Sequence, residues 1–549
     1  MTSDPLSFFT VDRGTATTAV SLIAPVEGRF RLLAAGAAPA GADPEALLED
    51  LVRRVVATDP DLLPDPDGWP DWARLVTVTA APPRVICAAT TDRSLALLER
   101  TFATAGWEVA ARIVAGRADA LAASEAVLDP TIPALALSAG DPPSAEERSA
   151  MPRLGTMLAA LVARRSDLGV LLCGTVGGWG DGFPAERTTR LPQPFDGPPA
   201  ADSELRAALR ELAGPRPDDD AGPEPVLGRP GSLRHLPDGR TGLRVAIATL
   251  AGLLDRRVEA VEVGQGAGAR VLATPDGVVA HLVSTDGALV PTRALRDDRE
   301  IEAIARWSTV RTDPFTLHDR IRNLALSPWR DTAGDGARLR LAALRAALGR
   351  LDAIWRTTAG PDALDGADLL VGSGGAFSAI PPAAAALAVV DTMRRQGAMT
   401  LFHDHARVLA PLGTLPDEAD RRRLLVDLLD DVLLPLGSAV VASDVRPGSR
   451  TIATLRITSS LQQHDLELSP GALRLVDLPP GVPARVELEM REGSLLGTKN
   501  RRLAFDVTGG LGGLLVDTRE IPLRLPDRAE RRRALLESWE RPVWAVTDA

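Results

Sequence analysis

Three stretches place glycines and hydroxyls directly after an apolar run: VDRGTATT (11–18), VEVGQGAGAR (261–270) and LVGSGGAF (370–377). Glycine lets the backbone approach a phosphate, and successive N–H groups in a turn form a nest for an anion. An acid beside such a turn can hold Mg2+, usually through its waters, while phosphates supply other ligands. In the first stretch these roles fall to Asp12, Gly14, Thr15 and Thr17, and in the second to Glu262, Gly264 and Gly266. In the third, Gly372, Ser373, Gly374 and Gly375 would let backbone pack against a nucleoside. Asp12 and Glu262 are the candidate catalytic acids, and Asp12 is the candidate Mg2+ holder. Two acid-bearing hairpins would clamp the phosphate chain of ATP from opposite sides. Taken singly, each turn reads more readily as a strand that turns a corner; the order and spacing of all three carry the nucleotide reading.

Other residues suggest chemistry less firmly. His403-Asp404-His405 has the residue types of a metal cluster, and an extended strand would put both histidines on one face with Asp404 opposite. No further His or Cys stands at ligand spacing, so a structural role is expected. Cys87 and Cys173 lie in apolar runs and read as buried, inert thiols. Two thiols make no disulfide framework, which implies a reducing compartment. Lys499 is the one lysine among 62 basic residues, and a GxxxxGK[ST] loop is missing. The GGLGG of 509–513 leads from one strand into another, so a sharp turn is expected there.

The elements that must position these residues alternate apolar strands with amphipathic helices over 1–190, as in an α/β layer. A helix is signalled by Asp43 at the N-cap, Pro44 at N1, and Leu47, Leu48, Leu51, Val52 and Val55 at helical spacing. Residues 191–242 are rich in Pro, Gly and Asp and read as a connection interrupted by one short helix, SELRAALRELAG. The α/β rhythm returns over 243–444, with a helix at GLRVAIATLAGLL and a helical stretch across 298–357. From 445 to 549, short strand patterns separated by turn residues predict a β-rich domain that closes on the helix DRAERRRALLESWE.

Composition sets the outer bounds. At 549 residues, three or four domains are expected, and 45% apolar with 25% charged residues is ordinary for a globular chain. A net charge of −11 gives no general attraction to nucleic acid or anionic lipid. The basic triplets Arg421–Arg423 and Arg531–Arg533 read as solvated helix faces. No apolar run approaches the roughly 18 residues of a spanning helix, and the start lacks a basic signal-peptide region. The expectation is a cytoplasmic protein that binds neither membrane nor nucleic acid.

The three turns in this order fit the actin-like ATPase plan, two related α/β lobes with a nucleotide between them. More specifically, the chain resembles the glutamate mutase L family, which is unrelated to the mismatch-repair protein that shares its short name. VDRGTATTAVSLIAPVEGRFRLLAAGAAP is similar to that family's opening hairpin and the strand after it. RNLALSPW (322–329), LLVGSGGAF, LFHDHARVLAPLGTL (401–415) and FDVTGGLGGLLVDTREIPLRLP (505–526) resemble later family segments, the last two most specifically. The resemblance implies an α/β fold of two actin-like (ribonuclease H-like) lobes: 1–190, a connection at 191–242, and 243–444, followed by the β-rich 445–549. It also implies ATP and Mg2+ as cofactors and a chaperone or reactivation role towards an adenosylcobalamin-dependent carbon-skeleton mutase as partner. Asp12, Gly14, Thr15 and Thr17 match the family's first hairpin, with Thr18 and Ala19 where lysine is frequent. In the second hairpin Glu262 stands where aspartate is usual, and Gln265, Ala267, Gly268 and Ala269 replace hydroxyls. A shift on the order of 1 Å in a catalytic group can cost about 10²-fold in rate, so weak hydrolysis is expected. Pro142 and Pro143 interrupt a turn that is glycine-rich in the family. Two other readings stand beside the reactivase: a nucleotide-independent scaffold and a small-molecule kinase.

Overall fold

The computed structural model describes residues 7–63, 65–79, 82–104, 107–117, 119–139, 143–174, 182–191, 238–295, 298–442, 451–491 and 500–547. Lys499, Pro142 and the short helix expected at SELRAALRELAG lie outside the described residues.

Strands β1 (Phe8–Arg13), β2 (Thr17–Val26) and β3 (Arg29–Pro39) form an antiparallel meander, and α1 (Pro44–Thr58) leads to β4 (Ala73–Val78), parallel to β1. The sheet order is β3-β2-β1-β4. Helix α1 starts as its sequence dictates: the Asp43 carboxylate accepts from the Glu45 N–H, Pro44 follows, and Leu48, Leu51, Val52 and Val55 are buried.

A second sheet follows within the first 190 residues. It holds β5 (Arg84–Ala89), α2 (Asp92–Thr104), β6 (Glu108–Val114), α3 (Ala120–Leu128), β7 (Ala134–Ser138), α4 (Ala145–Val162), β8 (Gly169–Cys173) and β9 (Thr188–Leu191). The order is β6-β5-β7-β8-β9, with every pairing parallel. Helices cover both faces, and so β7 and β8 read as unbroken apolar runs. The α/β stretch expected over 1–190 is therefore two sheets.

The first plan then repeats. After α5 (Gly239–Leu254), strands β10 (Val258–Val263), β11 (Gly268–Thr274) and β12 (Gly277–Ser284) form a second meander. Helices α6 (Asp298–Ala305), α7 (Pro314–Leu326) and α8 (Asp335–Thr358) lead to β13 (Leu369–Ser373), parallel to β10 as β4 is to β1. The one-turn α9 (Gly375–Ser378), α10 (Pro382–Thr392), β14 (Gly397–Asp404), α11 (Leu409–Gly413), α12 (Glu418–Val432) and β15 (Leu433–Val441) follow.

The C-terminal strands are β16 (Ala453–Ser459), β17 (Gln463–Leu468), β18 (Leu473–Val476), β19 (Pro483–Met490), β20 (Arg502–Thr508) and β21 (Leu514–Asp517), before α13 (Ala529–Thr547). Four of them form their own antiparallel sheet, β17-β16-β19-β20. The other two extend the second lobe: its eight-stranded sheet runs β12-β11-β10-β13-β14-β15-β21-β18. The glycine density of 509–513 follows from this crossing, because a side chain on Gly513 (φ +64°) would meet the Val476 carbonyl. The fold is thus α/β, with two lobes built on the same meander-and-parallel-strand plan and a β-rich C-terminal region.

Helices α5, α11 and α12 lie between the lobes. Phe8, Ile23, Phe30 and Leu75 from the first share one core with Leu243, Ile247, Leu409 and Leu425 from these helices and Val258 and Val371 from the second. Where α5 and α11 meet, any side chain on Gly242 or Gly413 would strike the opposite backbone. On α12, Asp431 accepts from the Arg31 guanidinium at 2.7 Å and from the Leu32 N–H at 3.0 Å, pinning β3 to it.

Candidate functional site

The two hairpins are built alike. Asp12 stands opposite Ala19 in the antiparallel pair and opposite Thr77 in the parallel one; Glu262 stands opposite Ala269 and Ser373. Each acid is the penultimate residue of its meander's first strand, seven positions ahead of its partner on the next strand. The turns close identically, with Gly14 N–H donating to the Thr17 carbonyl at 2.9 Å and Gly264 N–H to that of Ala267 at 3.0 Å. A Cβ on Gly14 would lie 2.9 Å from the Thr17 carbonyl oxygen, which explains the glycine. Thr77 Oγ1 donates to Asp12 Oδ1 at 2.9 Å, and a Cβ on Gly239, the first residue of α5, would lie 3.5 Å from that same oxygen. The N-terminus of a sixteen-residue helix therefore ends against the Asp12 carboxylate.

The tips of the hairpins meet. A Cβ placed on Gly266 would lie 3.0 Å from Thr15 Cγ2, and one on Gly375 3.5 Å from Thr17 Oγ1. Between them is a cavity of about 50 Å³, lined by Asp12, Gly14, Thr15, Thr17, Glu262, Gly264, Gly266, Gly374 and Gly375 among others. Gly372 and Ser373 do not line it. Gly372 lies under the Phe377 ring, where a Cβ would come within 2.6 Å, and Ser373 turns to donate to Asp404 Oδ2 at 3.1 Å. Gly374 has φ +90°, and a Cβ there would sit 2.6 Å from the Val263 carbonyl oxygen.

Two carboxyls keep their protons towards neutral pH: Glu262, which lines the cavity, and Asp404, buried away from it. Burial pushes Glu262 up to about 7; Arg240 and Arg407 pull it back, and Asp12 and Asp238 add to the rise. Burial likewise pushes Asp404 up to about 7, against hydrogen bonds from the Val408 N–H and Ser373 hydroxyl that favour its anion.

The His-Asp-His stretch differs from expectation. Strand β14 ends at Asp404, so His403 and His405 do not share a strand face. His403 is 3.4 Å from Ser378 Oγ, burial lowers it to about 4, and His405 Nδ1 is 3.1 Å from the Val432 carbonyl. Among the described residues no group of three or more His, Cys, Asp or Glu could hold a metal. Cys87 and Cys173 are buried, free thiols, and burial raises both.

Sequence reasoning missed Arg407 and Arg340, both of which line the cavity. Arg407 follows the end of β14 by three residues and reaches Thr17 on the other lobe. Among so many arginines no spacing marks it out; the absence of a lysine near the turns was the available signal.

No family model matches the chain, and no curated protein matches it. Solved structures give faint likenesses. Component A of the Acidaminococcus fermentans (R)-2-hydroxyglutaryl-CoA dehydratase is 7% identical over 76% of this chain and 99% of its own, with a TM-score of 0.26. The activator of the 2-hydroxyisocaproyl-CoA dehydratase from Clostridium difficile, solved with bound ADPNP, is 8% identical over 76% of this chain and 96% of its own, with a TM-score of 0.28. Acetate kinase from Entamoeba histolytica is 9% identical over 71% and 86%, at 0.19. At these scores the likenesses say nothing about what this chain does.

Proposed function

We propose that this protein binds ATP between its lobes and uses the lobes' motion to act on a client, an adenosylcobalamin-dependent carbon-skeleton mutase, as a reactivation or assembly factor. The observation that supports nucleotide binding is the matched pair of hairpins, identical in register and turn, facing each other across a glycine-lined cleft. Their glycines leave room for phosphate oxygens against backbone N–H groups. Asp12 fits Mg2+ through waters only, since its oxygens already face Thr77 and Arg407. When bound, Mg2+ would neutralise phosphate charge. Glu262, pushed up to about 7 by burial, titrates where a general base can work; what favours slow hydrolysis is the second hairpin, where Gln265, Ala267, Gly268 and Ala269 stand in place of hydroxyls. The client rests on the sequence resemblance alone.

A second reading, a scaffold that needs no nucleotide, is favoured by the closed cleft. Ligand pockets usually enclose roughly 300–1,000 Å³, against about 50 Å³ here. A thermal melt with and without Mg·ATP separates the two. Ligand at 100 times its dissociation constant adds about 2.7 kcal/mol. A rise in melting temperature supports the first reading; no rise at millimolar nucleotide leaves the scaffold. Co-purification with an adenosylcobalamin-dependent mutase then tests the client: capture that responds to nucleotide is the expected result, and no capture in either state overturns it.

A further inference from the structure

Arg407 stands in the left-handed region at φ +54°, unusual for a residue with a long side chain. Its side chain is 8% exposed. Nη1 donates to Thr17 Oγ1 at 3.1 Å, and Nε lies 3.5 Å from Asp12 Oδ2, beyond a good hydrogen bond. Nη2 is buried and has no hydrogen-bond partner among the described residues. A buried, charged donor without an acceptor is costly and rare in native proteins, and calls for an explanation. This one lines the cavity beside Gly14, where a Cβ would come 3.5 Å from Nη1. The neighbouring Arg340 is already committed, donating to the carbonyls of Arg330 and Asp331.

We propose that Arg407 is the phosphate-reading residue of the cleft: its unpaired Nη2, with Nη1 beside it, takes oxygens of a bound phosphate chain. The proposal rests on the nucleotide reading above and adds to it the residue that selects the anion. A planar guanidinium matches phosphate geometry with two parallel bonds. The contact reaches from β14's end across to the first hairpin, so an anion held there ties the two lobes through one side chain. Here an arginine does what a lysine does in a P-loop, in a chain whose one lysine lies far along the sequence.

The test measures binding of Mg·ATP, inorganic tripolyphosphate and adenosine by calorimetry to the full chain and to Arg407→Lys and Arg407→Asn. Asparagine tolerates the left-handed backbone, which guards the fold, and melting curves confirm that each variant is folded. We expect Arg407→Asn to weaken ATP and tripolyphosphate about ten- to hundredfold, Arg407→Lys to recover part of the loss, and adenosine to be unaffected. Unchanged ATP affinity in a folded Arg407→Asn overturns the role of Arg407 and leaves nucleotide binding standing. Arg407-dependent binding of tripolyphosphate without any gain from the nucleoside supports the anion site and overturns the nucleotide reading. If the unaltered chain binds neither anion, both fall.

Discussion

Asp404 is fully buried with its proton retained up to about pH 7, whereas an unfolded aspartate loses it near its ordinary value. Between those two values the folded chain holds a proton that the unfolded chain has released. The stability this contributes is complete below the unfolded value and is lost as pH rises through about 7. Asp404→Asn keeps an acceptor for the Val408 N–H and a partner for Ser373, yet carries no charge. Compared with the parent by urea denaturation at about pH 5 and about pH 8, the variant should lose less stability on the alkaline side. An equal loss in both would mean that Asp404 is ionised in the folded state. At this scale much of the candidate site's layout was legible. Asp12, Glu262 and the first two sets of glycines announced themselves as acid-x-Gly turns after apolar strands. Gly372 misled because a glycine that makes room for an aromatic ring looks, in sequence, like one that makes room for a ligand. Arg407 gave no local signal, since its role depends on a contact with Thr17 390 positions away.

Helices and strands were read more reliably than the sheets they join. The α1 helix was marked by its cap and by its apolar spacing, and GLRVAIATLAGLL lies within α5. Strand partners were harder to foresee, because pairing depends on distant chain. Thus β18 and β21 looked like part of a separate C-terminal domain and instead complete the second lobe's sheet. The VDTRE sequence there has a physical use. Asp517 accepts from Arg519 at 2.7 Å and Arg394 at 2.5 Å, and Arg519 also reaches Asp391 at 2.7 Å. Asp391 in turn faces Arg345 at 2.7 Å, and Arg345 donates to Glu540 of α13 at 2.5 Å. This chain of buried charges fastens β21 and α13 to α8 and α10. Arg345→Met should therefore cost about 3–5 kcal/mol, because it removes the cation shared by Asp391 and Glu540 from a buried charge network, leaving Asp391 with Arg519 and Glu540 with Thr309, Trp544 and Arg338. A denaturant midpoint close to that of the parent would show that the network is dispensable.

In the whole molecule, the lobes are joined below by shared core and above by touching hairpin tips. The ideal Cβ of Gly266 lies 3.5 Å from Thr15 Cβ, at the edge of the roughly 3.5–4.5 Å that a disulfide needs. A Thr15→Cys/Gly266→Cys variant should cross-link in mild oxidant, since the native thiols Cys87 and Cys173 are buried and will not compete. Once cross-linked, it should lose Mg·ATP binding, and reduction should restore it. Mg·ATP added first should slow the cross-link. Binding that persists in the oxidised form would mean that nucleotide reaches its site without parting the hairpins. The five-stranded parallel sheet is tied into the same body: α2 packs on β12, and Glu108 accepts from the Thr285 hydroxyl.

The weaving of the last strands into the second lobe also dictates an order of assembly during translation. All four strands of the first sheet precede residue 79, and a compact cluster of Phe9, Val11, Val20, Leu48 and Leu51 can close around them early. The large core of the second lobe includes Leu515 from β21 and Leu536, Trp539, Val543 and Trp544 from α13, so it stays open until those residues have left the ribosome. For that interval β15 offers an unpaired strand edge, the kind of surface that holding chaperones cover and that aggregates recruit. A message that stopped short of Leu514 would yield a sticky half-finished lobe, not a smaller working protein.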